Sequence, residues 1–402
     1  INSEPDFNKL VLMITNMANE VTEASSTWLE ILDEKRDKLY IASSKKLTSN
    51  EIKTAKLSTS EGLSGRIFKE KKAKIINEIA KDPEFNYIKT WKTGVNSLLA
   101  VPLITTKNKI MGIIFVAKNF EFGFEPDDLA MLQAFSNQVV IAIENSKLLK
   151  DSIQRERLEQ ELKIAKEVQQ KLLPQNIPLI KGFDISAISF TANEVGGDYY
   201  DFISYDKNNF GIVVADVSGK GTSAAFYMAE MKGIIKSLSS IYKAPKDLFS
   251  HTNEILFEQL EKKAFITASL VSVDIRKKDI RYIRAGHCPL IYYSAESNEL
   301  DYKTPKGIGL GLCNKKLFDM NLEEEQFKLK SGDVIVIFSD GLDEARNIFD
   351  EEYGDAKIGQ LLVKNKDLGA DDIKHAILDD IVAFTGKAPM HDDMTLAVIK
   401  VL

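Results

Sequence analysis

The chain has 402 residues, of which 59 are acidic and 53 basic, so its formal net charge is −6. This balance disfavours a nucleic acid as the main partner, because a protein that binds a phosphate backbone usually presents a basic surface. A hydrophobic share of 44% is typical of globular proteins, and the length predicts two or three domains.

Two cysteines, Cys288 and Cys313, occur without a CxxC pair. This number and spacing disfavour both a disulfide framework and a structural zinc site, so we expect a reducing, cytoplasmic setting. The apolar runs fall well short of the roughly 20 residues that a membrane span needs, and no span is expected in this chain.

The first predicted element is an amphipathic helix. Its apolar residues follow one another in steps of three and four, at Phe7, Leu10, Ile14, Met17 and Val21. Two interpretations of this spacing stay open: the apolar face packs on the helix's own domain, or it forms the seam of a dimer.

Short strands separated by glycine turns are predicted between residues 27 and 115, and the two most apolar are Ser97–Leu103 and Ile110–Val116. A long helix then begins near Pro126, with acidic residues in its first turn, and contains neither Pro nor Gly until Pro174.

The second half of this helix, residues 144–175, is predicted to be a coiled-coil-like linker. Six of the ten heptad positions of the long helix, counted from Ile141, are apolar, and the polar ones cluster in the middle. The ten positions are Ile141, Glu144, Leu148, Asp151, Arg155, Leu158, Leu162, Ala165, Gln169 and Leu172. Such a seam pairs and separates at small cost, and a solvated helical spacer is the alternative interpretation.

Beyond Pro174 the sequence alternates short β-type runs with two helical stretches, near residues 223–242 and 245–260. This order predicts an α+β sandwich in which the helices are segregated from the strands. The predicted strands are 183–192, 210–215, 267–274, 280–285, 290–294, 334–338 and 394–402.

Four segments of this region place an aspartate beside a glycine or a second aspartate, most of them next to an apolar strand. They are Gly196-Gly197-Asp198, Ala215-Asp216-Val217-Ser218-Gly219, Ser339-Asp340-Gly341 and His391-Asp392-Asp393. Each Asp-Gly pair alone is also a common turn. Carboxylates that converge from several strand ends, however, repel one another unless cations neutralise them.

Oxygen ligands favour Mg²⁺ or Mn²⁺ over zinc, and the four histidines lack zinc-site spacing. Two such ions can activate a water molecule for attack on phosphorus. The acidic segments therefore indicate metal-dependent phosphoryl chemistry.

With these motifs in family order, residues 176–402 resemble the metal-dependent protein phosphatase (PPM) family, in its bacterial SpoIIE/RsbU-like branch. The motifs that carry the resemblance are Glu194–Phe202, Ala215–Gly221, Ala285–Pro289, Phe338–Leu342 and Asp392–Thr395. The resemblance implies an αββα sandwich that hydrolyses phosphoserine and phosphothreonine directly, without a phosphoenzyme. It also implies two Mn²⁺ or Mg²⁺ ions, with a possible weaker third.

The resemblance also assigns roles to single positions. Asp216 resembles the carboxylate that bridges both metals, Asp340 and Asp392 match ligands of the second metal, and Asp198 matches the acid that holds the first metal through waters. The full implied ligand set is Asp198, Asp216, the Val217 carbonyl, Asp340, Asp392 and Asp393, of which Asp198, Asp216, Asp340 and Asp392 form the catalytic set. Asp393 either orients its neighbour Asp392 or joins the third site.

Two departures limit this transfer. Ser218 stands where larger relatives have a histidine proposed as general acid, and residues 176–215 contain no arginine to grip the phosphate. His287 is a candidate acid, with a structural loop histidine as the alternative. Lys220 lies in a Gly-Lys-Gly turn that lacks the spacing of a nucleotide-binding P-loop.

The front of the chain, from about residue 22 to 143, resembles a GAF domain. The resemblance rests on Gly62–Gly65, Asp82-Pro83, the strands Ser97–Leu103 and Gly112–Val116, and the closing helix with Ala142–Asn145. It implies a six-stranded sheet, a small-molecule pocket and a parallel dimer through flanking helices. A dimerisation module without ligand stays open, and no ligand or cofactor residue is assigned.

The sequence thus predicts a GAF sensor with an N-terminal dimerisation helix (1–143), a helical linker (144–175) and a phosphatase domain (176–402). The expected substrate is a phosphorylated anti-sigma-factor antagonist of a partner-switching pathway, and a change in pairing of the linker helix is expected to switch activity. The alternative is a pseudophosphatase that acts as a dimeric binding scaffold. The acidic excess lies in residues 176–402, which hold 35 acidic and 27 basic residues.

Overall fold

The computed structural model of the chain describes residues 4–33, 38–55, 57–82 and 94–402. The chain divides into two compact units, residues 1–158 and 159–402. None of the described helices combines the length and apolar character that crossing a membrane requires.

Helices and strands alternate along both units. The helices are α1 (Glu4–Val21), α2 (Ser49–Thr54), α3 (Gly62–Glu70), α4 (Pro126–Leu172), α5 (Thr222–Leu238), α6 (Pro245–Gln259), α7 (Lys315–Asn321), α8 (Asp340–Asp343), α9 (Asp355–Asn365) and α10 (Ala370–Thr385). The strands are β1 (Ser26–Asp33), β2 (Lys38–Lys45), β3 (Lys74–Ile76), β4 (Ser97–Ile104), β5 (Ile110–Lys118), β6 (Phe183–Phe190), β7 (Tyr199–Ser204), β8 (Asn209–Val217), β9 (Ile266–Asp274), β10 (Asp279–Ala285), β11 (Leu290–Ser294), β12 (Glu299–Lys303), β13 (Glu324–Lys328), β14 (Val334–Phe338) and β15 (Met394–Val401).

The N-terminal unit is built on an antiparallel sheet with the order β2-β1-β5-β4-β3. The described residues contribute five strands, against the six that the GAF resemblance implies, and Pro83 of that motif lies outside them. One face of the sheet packs on α1 and the start of α4, and the other packs on α3. Sheet and helices therefore bury two apolar cores, one on each side.

The apolar residues of α1 are divided between two faces. Val11 and Ile14 are buried against the sheet, which confirms a helix packed on its own domain. Met13, Met17 and Val21 are 57%, 46% and 41% exposed. The second face is therefore available to a partner, as the dimer interpretation requires.

A carboxylate lies inside the second core of this unit. Glu30 on β1 is fully buried, and the indole nitrogen of Trp28 donates a hydrogen bond to its Oε1 at 3.1 Å. Burial raises the pKa of Glu30 from 4.5 to about 7, although hydrogen bonds from Ser64 and Trp28 act in the opposite direction. The folded unit therefore holds a proton on Glu30 that the unfolded chain releases near pH 4.5.

We expect the stability of this unit to fall as the pH rises from 4.5 to about 7, because only the unfolded state ionises Glu30 in that interval. The shift corresponds to a loss of about 3 kcal/mol of unfolding free energy. Glu30→Gln should remove this pH dependence, whereas Glu23→Gln, at an exposed site, should keep it. Chemical denaturation followed by tryptophan fluorescence measures it, since both tryptophans, Trp28 and Trp91, belong to residues 1–158. Equal pH profiles for the wild type and Glu30→Gln would contradict the assignment.

The C-terminal unit is a four-layer sandwich. Its two five-stranded antiparallel sheets have the orders β13-β10-β9-β8-β7 and β12-β11-β14-β15-β6. Apolar residues of alternate strand positions meet between the sheets, for example Ile212 and Val271 with Ile337 and Ala397. Helices α5 and α6 cover the outer face of the first sheet, and α9 and α10 cover that of the second. This is the predicted αββα sandwich.

Most predicted elements of this unit are present, two strands (290–294 and 334–338) with the predicted bounds. Three strands and four helices were not predicted: β7, β12, β13, α7, α8, α9 and α10. β12 and β13 are five-residue edge strands rich in charged residues. β13 has a single apolar residue, Phe327, and β12 alternates polar and apolar residues over only five positions, so neither gives a strong strand signal.

Candidate metal centre

Two of the predicted acids meet at one end of the β7–β8 hairpin. Tyr199 pairs with Ala215 in the antiparallel register, so Asp198 and Asp216 are neighbours across the two strands. Asp198 directly precedes β7, and Asp216 is the penultimate residue of β8. The strand-end design read from the sequence therefore brings these two carboxylates together.

The other two acids lie where β14 and β15 run side by side in the second sheet. Asp340 begins α8 two residues after the end of β14, and Asp392 lies two residues before the start of β15. The Ser339 amide donates to the Thr395 carbonyl at 2.9 Å, which fixes the two segments against each other.

Hydroxyl groups of that second sheet hold Asp198. Its Oδ2 accepts hydrogen bonds from Ser339 Oγ at 2.7 Å and from Thr395 Oγ1 at 2.6 Å. Its Oδ1 is buried, with no hydrogen-bond partner among the described residues. One carboxylate oxygen is thus fixed by the protein, while the other is an orphaned buried acceptor that calls for a cation or water.

Glycines bring the backbone close to the acids. A Cβ atom added at Gly197 would lie 2.8 Å from the Val217 carbonyl oxygen and 3.3 Å from Asp216 Oδ1. One added at Gly196 would lie 2.0 Å from Asp393 Oδ2. The loop before β7 can therefore approach Val217, Asp216 and Asp393 this closely only because Gly196 and Gly197 have no side chains.

Asp393 ties down the same loop. Its Oδ1 accepts from the Ala192 amide at 2.8 Å and its Oδ2 from the Gly197 amide at 2.7 Å. The side chain is 6% exposed. Both of its oxygens are thus used to orient backbone, whereas the sequence placed Asp393 beside Asp392 or in a third metal site.

Burial and the charges of neighbouring carboxylates raise the pKa values of three of these acids. Burial, followed by the charge of Asp216, raises the pKa of Asp198 well above its usual value. Burial, followed by the charges of Asp340 and Asp392, raises the pKa of Asp216 to about 7. The pKa of Asp340 is raised by burial and then by Glu344 and Asp392. A divalent cation would relieve this repulsion.

The donor set fits a hard divalent cation: it consists of oxygens, includes an orphaned carboxylate oxygen, and is close to a backbone carbonyl in a glycine-lined cradle. In the described part of the chain, however, no three side chains of His, Cys, Asp or Glu are arranged to hold a metal ion together. One reason is that Asp392 is engaged elsewhere, because its Oδ2 lies 2.8 Å from the Lys220 Nζ. Within the described residues the four acids are therefore not gathered around a single point.

Two other candidate groups are excluded from acid or nucleophile roles by burial. His287 is 3% exposed, its Nδ1 lies 2.8 Å from Thr267 Oγ1, and burial lowers its pKa to about 3. It is neutral at physiological pH and so cannot act as the general acid, which favours the structural interpretation. Burial likewise raises the pKa of Cys288, which keeps its thiol protonated.

One contact that the sequence did not indicate joins the end of α4 to the loop before β7. Gln169 is 6% exposed, its Nε2 donates to the Gly196 carbonyl at 2.6 Å, and its Oε1 accepts from the Gly196 amide at 3.0 Å. Leu172 and Leu173 pack against the core between the first sheet and α5. Gln169, a polar residue that interrupts the predicted apolar heptad pattern, therefore holds the loop that carries Asp198.

Comparison with known proteins gives two family matches. The profile of the family described as Stage II sporulation protein E (SpoIIE) matches residues 206–402, and that of the GAF domain matches residues 4–144. Among relatives, the phosphoserine phosphatase RsbU of Bacillus subtilis is 33% identical over 251 residues, which cover 61% of this chain and 71% of that protein. The phosphoserine phosphatase RsbP of Bacillus subtilis is 24% identical over 189 residues, which cover 45% of each chain.

Solved structures match the fold of the C-terminal unit. The SiaA-PP2C domain of Pseudomonas aeruginosa is 18% identical, with a TM-score of 0.55, and the match covers 62% of this chain and 98% of that domain. A structure of RsbU and RsbW domains from Mycobacterium tuberculosis is 23% identical, with a TM-score of 0.50, and the match covers 57% and 63%. At these identities the likeness concerns the fold alone.

Proposed function

Because the chain belongs to the SpoIIE-type PPM phosphatases, the family of RsbU, and carries a GAF domain before the phosphatase domain, we propose that it is a metal-dependent phosphoserine/phosphothreonine protein phosphatase. The observation that carries the proposal is the cluster of Asp198, Asp216, Asp340 and Asp392, in which burial, and after it the charges of neighbouring carboxylates, raise the pKa of three members. Such a cluster is costly for stability and is expected where a cation is to be bound.

In this proposal Asp198, Asp216 and the Val217 carbonyl would hold one Mn²⁺ or Mg²⁺ ion, and Asp216, Asp340 and Asp392 would hold a second. When bound, these ions supply Lewis-acid activation of a water molecule and of the phosphoryl group.

The remaining side chains position this set. Ser339 and Thr395 fix one oxygen of Asp198, so that its other oxygen faces the site. Asp393 holds the Ala192 and Gly197 amides and thereby the loop over Asp216. With His287 neutral, no protein acid is assigned to the leaving group. With the Cys288 thiol protonated, direct hydrolysis without a cysteine phosphoenzyme is favoured.

The proposed substrate is a phosphorylated anti-sigma-factor antagonist in the cytoplasm. The support is the family resemblance together with the similarity to RsbU, whose name describes a phosphoserine phosphatase. Asp340 and Asp392 are partly exposed, so the phosphorylated side chain of a folded protein can reach them from solvent.

Regulation is proposed to run from a GAF sensor (1–143) through a helical linker (144–175) to the phosphatase domain (176–402). The support is the pair of hydrogen bonds that Gln169 of α4 makes with Gly196, two residues before Asp198. A parallel dimer is proposed through α1 and α4, since apolar side chains of α4 such as Leu148, Leu158 and Val168 are more than half exposed.

A pseudophosphatase scaffold is the second candidate. The observation in its favour is that Asp392 pairs with Lys220 and that the described acids are not drawn together around one point. The two candidates differ in turnover, because a scaffold binds its partner without hydrolysing phosphate.

The test is metal removal and restoration on the full chain. The EDTA-treated protein should show only background release of p-nitrophenol from p-nitrophenyl phosphate, and Mn²⁺ or Mg²⁺ should restore the rate by at least about 100-fold, since metal ions contribute several kcal/mol of transition-state stabilisation. Zn²⁺ and Ca²⁺ serve as control cations. Binding of Mn²⁺ without any gain in turnover would contradict the phosphatase and favour the scaffold.

A further inference from the structure

Lys220 lies at the open edge of the acidic cluster. Its Nζ is 2.8 Å from Asp392 Oδ2 and donates to the His391 carbonyl at 2.5 Å. The side chains of Lys220 and Asp392 are 54% and 45% exposed, whereas Asp198 and Asp393 are buried. The cluster therefore runs from a buried end at Asp198 to a solvent-facing end at Lys220.

Lys220 lies on a turn between two glycines. Gly219 and Gly221 flank it with φ values of +100° and +77°, in the left-handed region that favours glycine. A Cβ atom added at either glycine would have no neighbour within 4 Å. Lys220 thus stands on an open turn between β8 and α5, on a long flexible stem.

Two arginines of the unit are engaged in other contacts. Arg284 donates to the carbonyls of His287 and Pro305, and Arg346 pairs with Asp350 and Glu352. Within the described residues, Lys220 is the cation that contacts one of the four acids directly, and its ammonium partly offsets the repulsion that raises the pKa of Asp340.

Phosphate is an anion, and any carboxylate charge that bound cations leave uncompensated repels it. An ammonium at the solvent-facing end provides attraction where the substrate enters. Lys220 uses two of its three N–H donors, on Asp392 and His391, so a third is available. A cation that took up Asp392 would release a second donor.

We propose that Lys220 binds the phosphoryl group of the substrate through its Nζ, in the role that an arginine would otherwise fill. This inference rests on the phosphatase proposed above and adds a substrate-binding residue to it. The rival account is that Lys220 only neutralises Asp392 and has no contact with substrate.

The experiment compares Lys220→Gln and Lys220→Arg in the full chain at saturating Mn²⁺. Inorganic phosphate is the reaction product and serves as the probe, and its calorimetric titration measures binding without turnover. A Mn²⁺ titration followed by EPR shows when the protein is saturated with metal. We expect Lys220→Gln to weaken phosphate binding and raise the KM for p-nitrophenyl phosphate by about 10- to 100-fold, the value of a charge-assisted hydrogen bond. Lys220→Arg should keep most of the affinity because it keeps the charge.

Lys246→Gln, an exposed lysine at the start of α6, is the matched control and should behave as wild type. Equal phosphate affinity in Lys220→Gln and wild type at saturating Mn²⁺ would overturn the inference and leave the counter-ion account. A loss in Lys220→Gln that Lys220→Arg does not restore would overturn it too. If the wild type hydrolyses no p-nitrophenyl phosphate, the proposed function fails, while the phosphate titration still decides the role of Lys220.

Discussion

Asp216→Asn is expected to lose at least about 1000-fold in kcat with p-nitrophenyl phosphate, because it removes the carboxylate proposed to bridge two cations, and several kcal/mol of transition-state stabilisation correspond to this factor. The substitution keeps the size of the side chain and removes only its charge. Mn²⁺ affinity should fall with activity. Steady-state kinetics and EPR-detected Mn²⁺ titration of the same preparations measure both.

The same variant should be more stable than wild type when metal is absent. The folded pKa of Asp216 is raised to about 7 from an ordinary 3.8, so above pH 7 the folded state carries a charge that it disfavours. Asparagine carries no such charge, and thermal unfolding in EDTA at pH 8 should shift upward. Asp379→Asn, exposed on α10, is the control that should change neither property. An active Asp216→Asn enzyme would refute the bridging role, and an inactive variant that is also less stable would point to misfolding instead.

Gln169→Leu is expected to raise the Mn²⁺ concentration needed for half-maximal activity by about 10- to 100-fold. Leucine fills a similar volume but leaves the amide and carbonyl of Gly196 without their partners, and each buried unsatisfied group costs about 1–3 kcal/mol. The loop before Asp198 then loses its anchor on α4. Activity measured over a Mn²⁺ series gives the shift.

Two further substitutions sharpen this test. Gln169→Glu keeps the acceptor for the Gly196 amide but places an anion beside its carbonyl, so an intermediate shift is expected. Gln170→Leu changes the adjacent, exposed glutamine and should have no effect. If Gln169→Leu needs no more Mn²⁺ than Gln170→Leu, the end of α4 does not support the metal site.

Local sequence patterns were sufficient to predict many of the helices and strands. The short apolar strands 290–294 and 334–338 and the uninterrupted helix from Pro126 could be predicted because apolar runs and Pro and Gly boundaries are local signals. Helices α9 and α10 are absent from the sequence prediction although both are amphipathic. Gly354 and Gly369 directly precede them and Gly386 directly follows α10, and these glycines are the local signals for their boundaries.

The candidate site likewise has a part that the sequence predicts and a part that it does not. That Asp198, Asp216, Asp340 and Asp392 stand near strand ends was readable from the sequence, and the resemblance supplied their proposed roles. The contacts of Lys220 with Asp392 and of Gln169 with Gly196 join residues 172 and 27 positions apart. Neither carries a local pattern, because both depend on how separate elements come together in three dimensions.

The position of β15 near the C-terminal end of the sequence affects how the phosphatase domain folds during synthesis. This last strand lies between β14 and β6, and the residues beside it and on it supply Asp392, Asp393 and Thr395 to a cluster whose other members precede residue 341. A nascent chain still attached to the ribosome near residue 390 therefore lacks both an interior strand of one sheet and part of its acidic cluster. We therefore expect a product of premature termination before Asp392 to carry the GAF domain but to show no phosphatase activity.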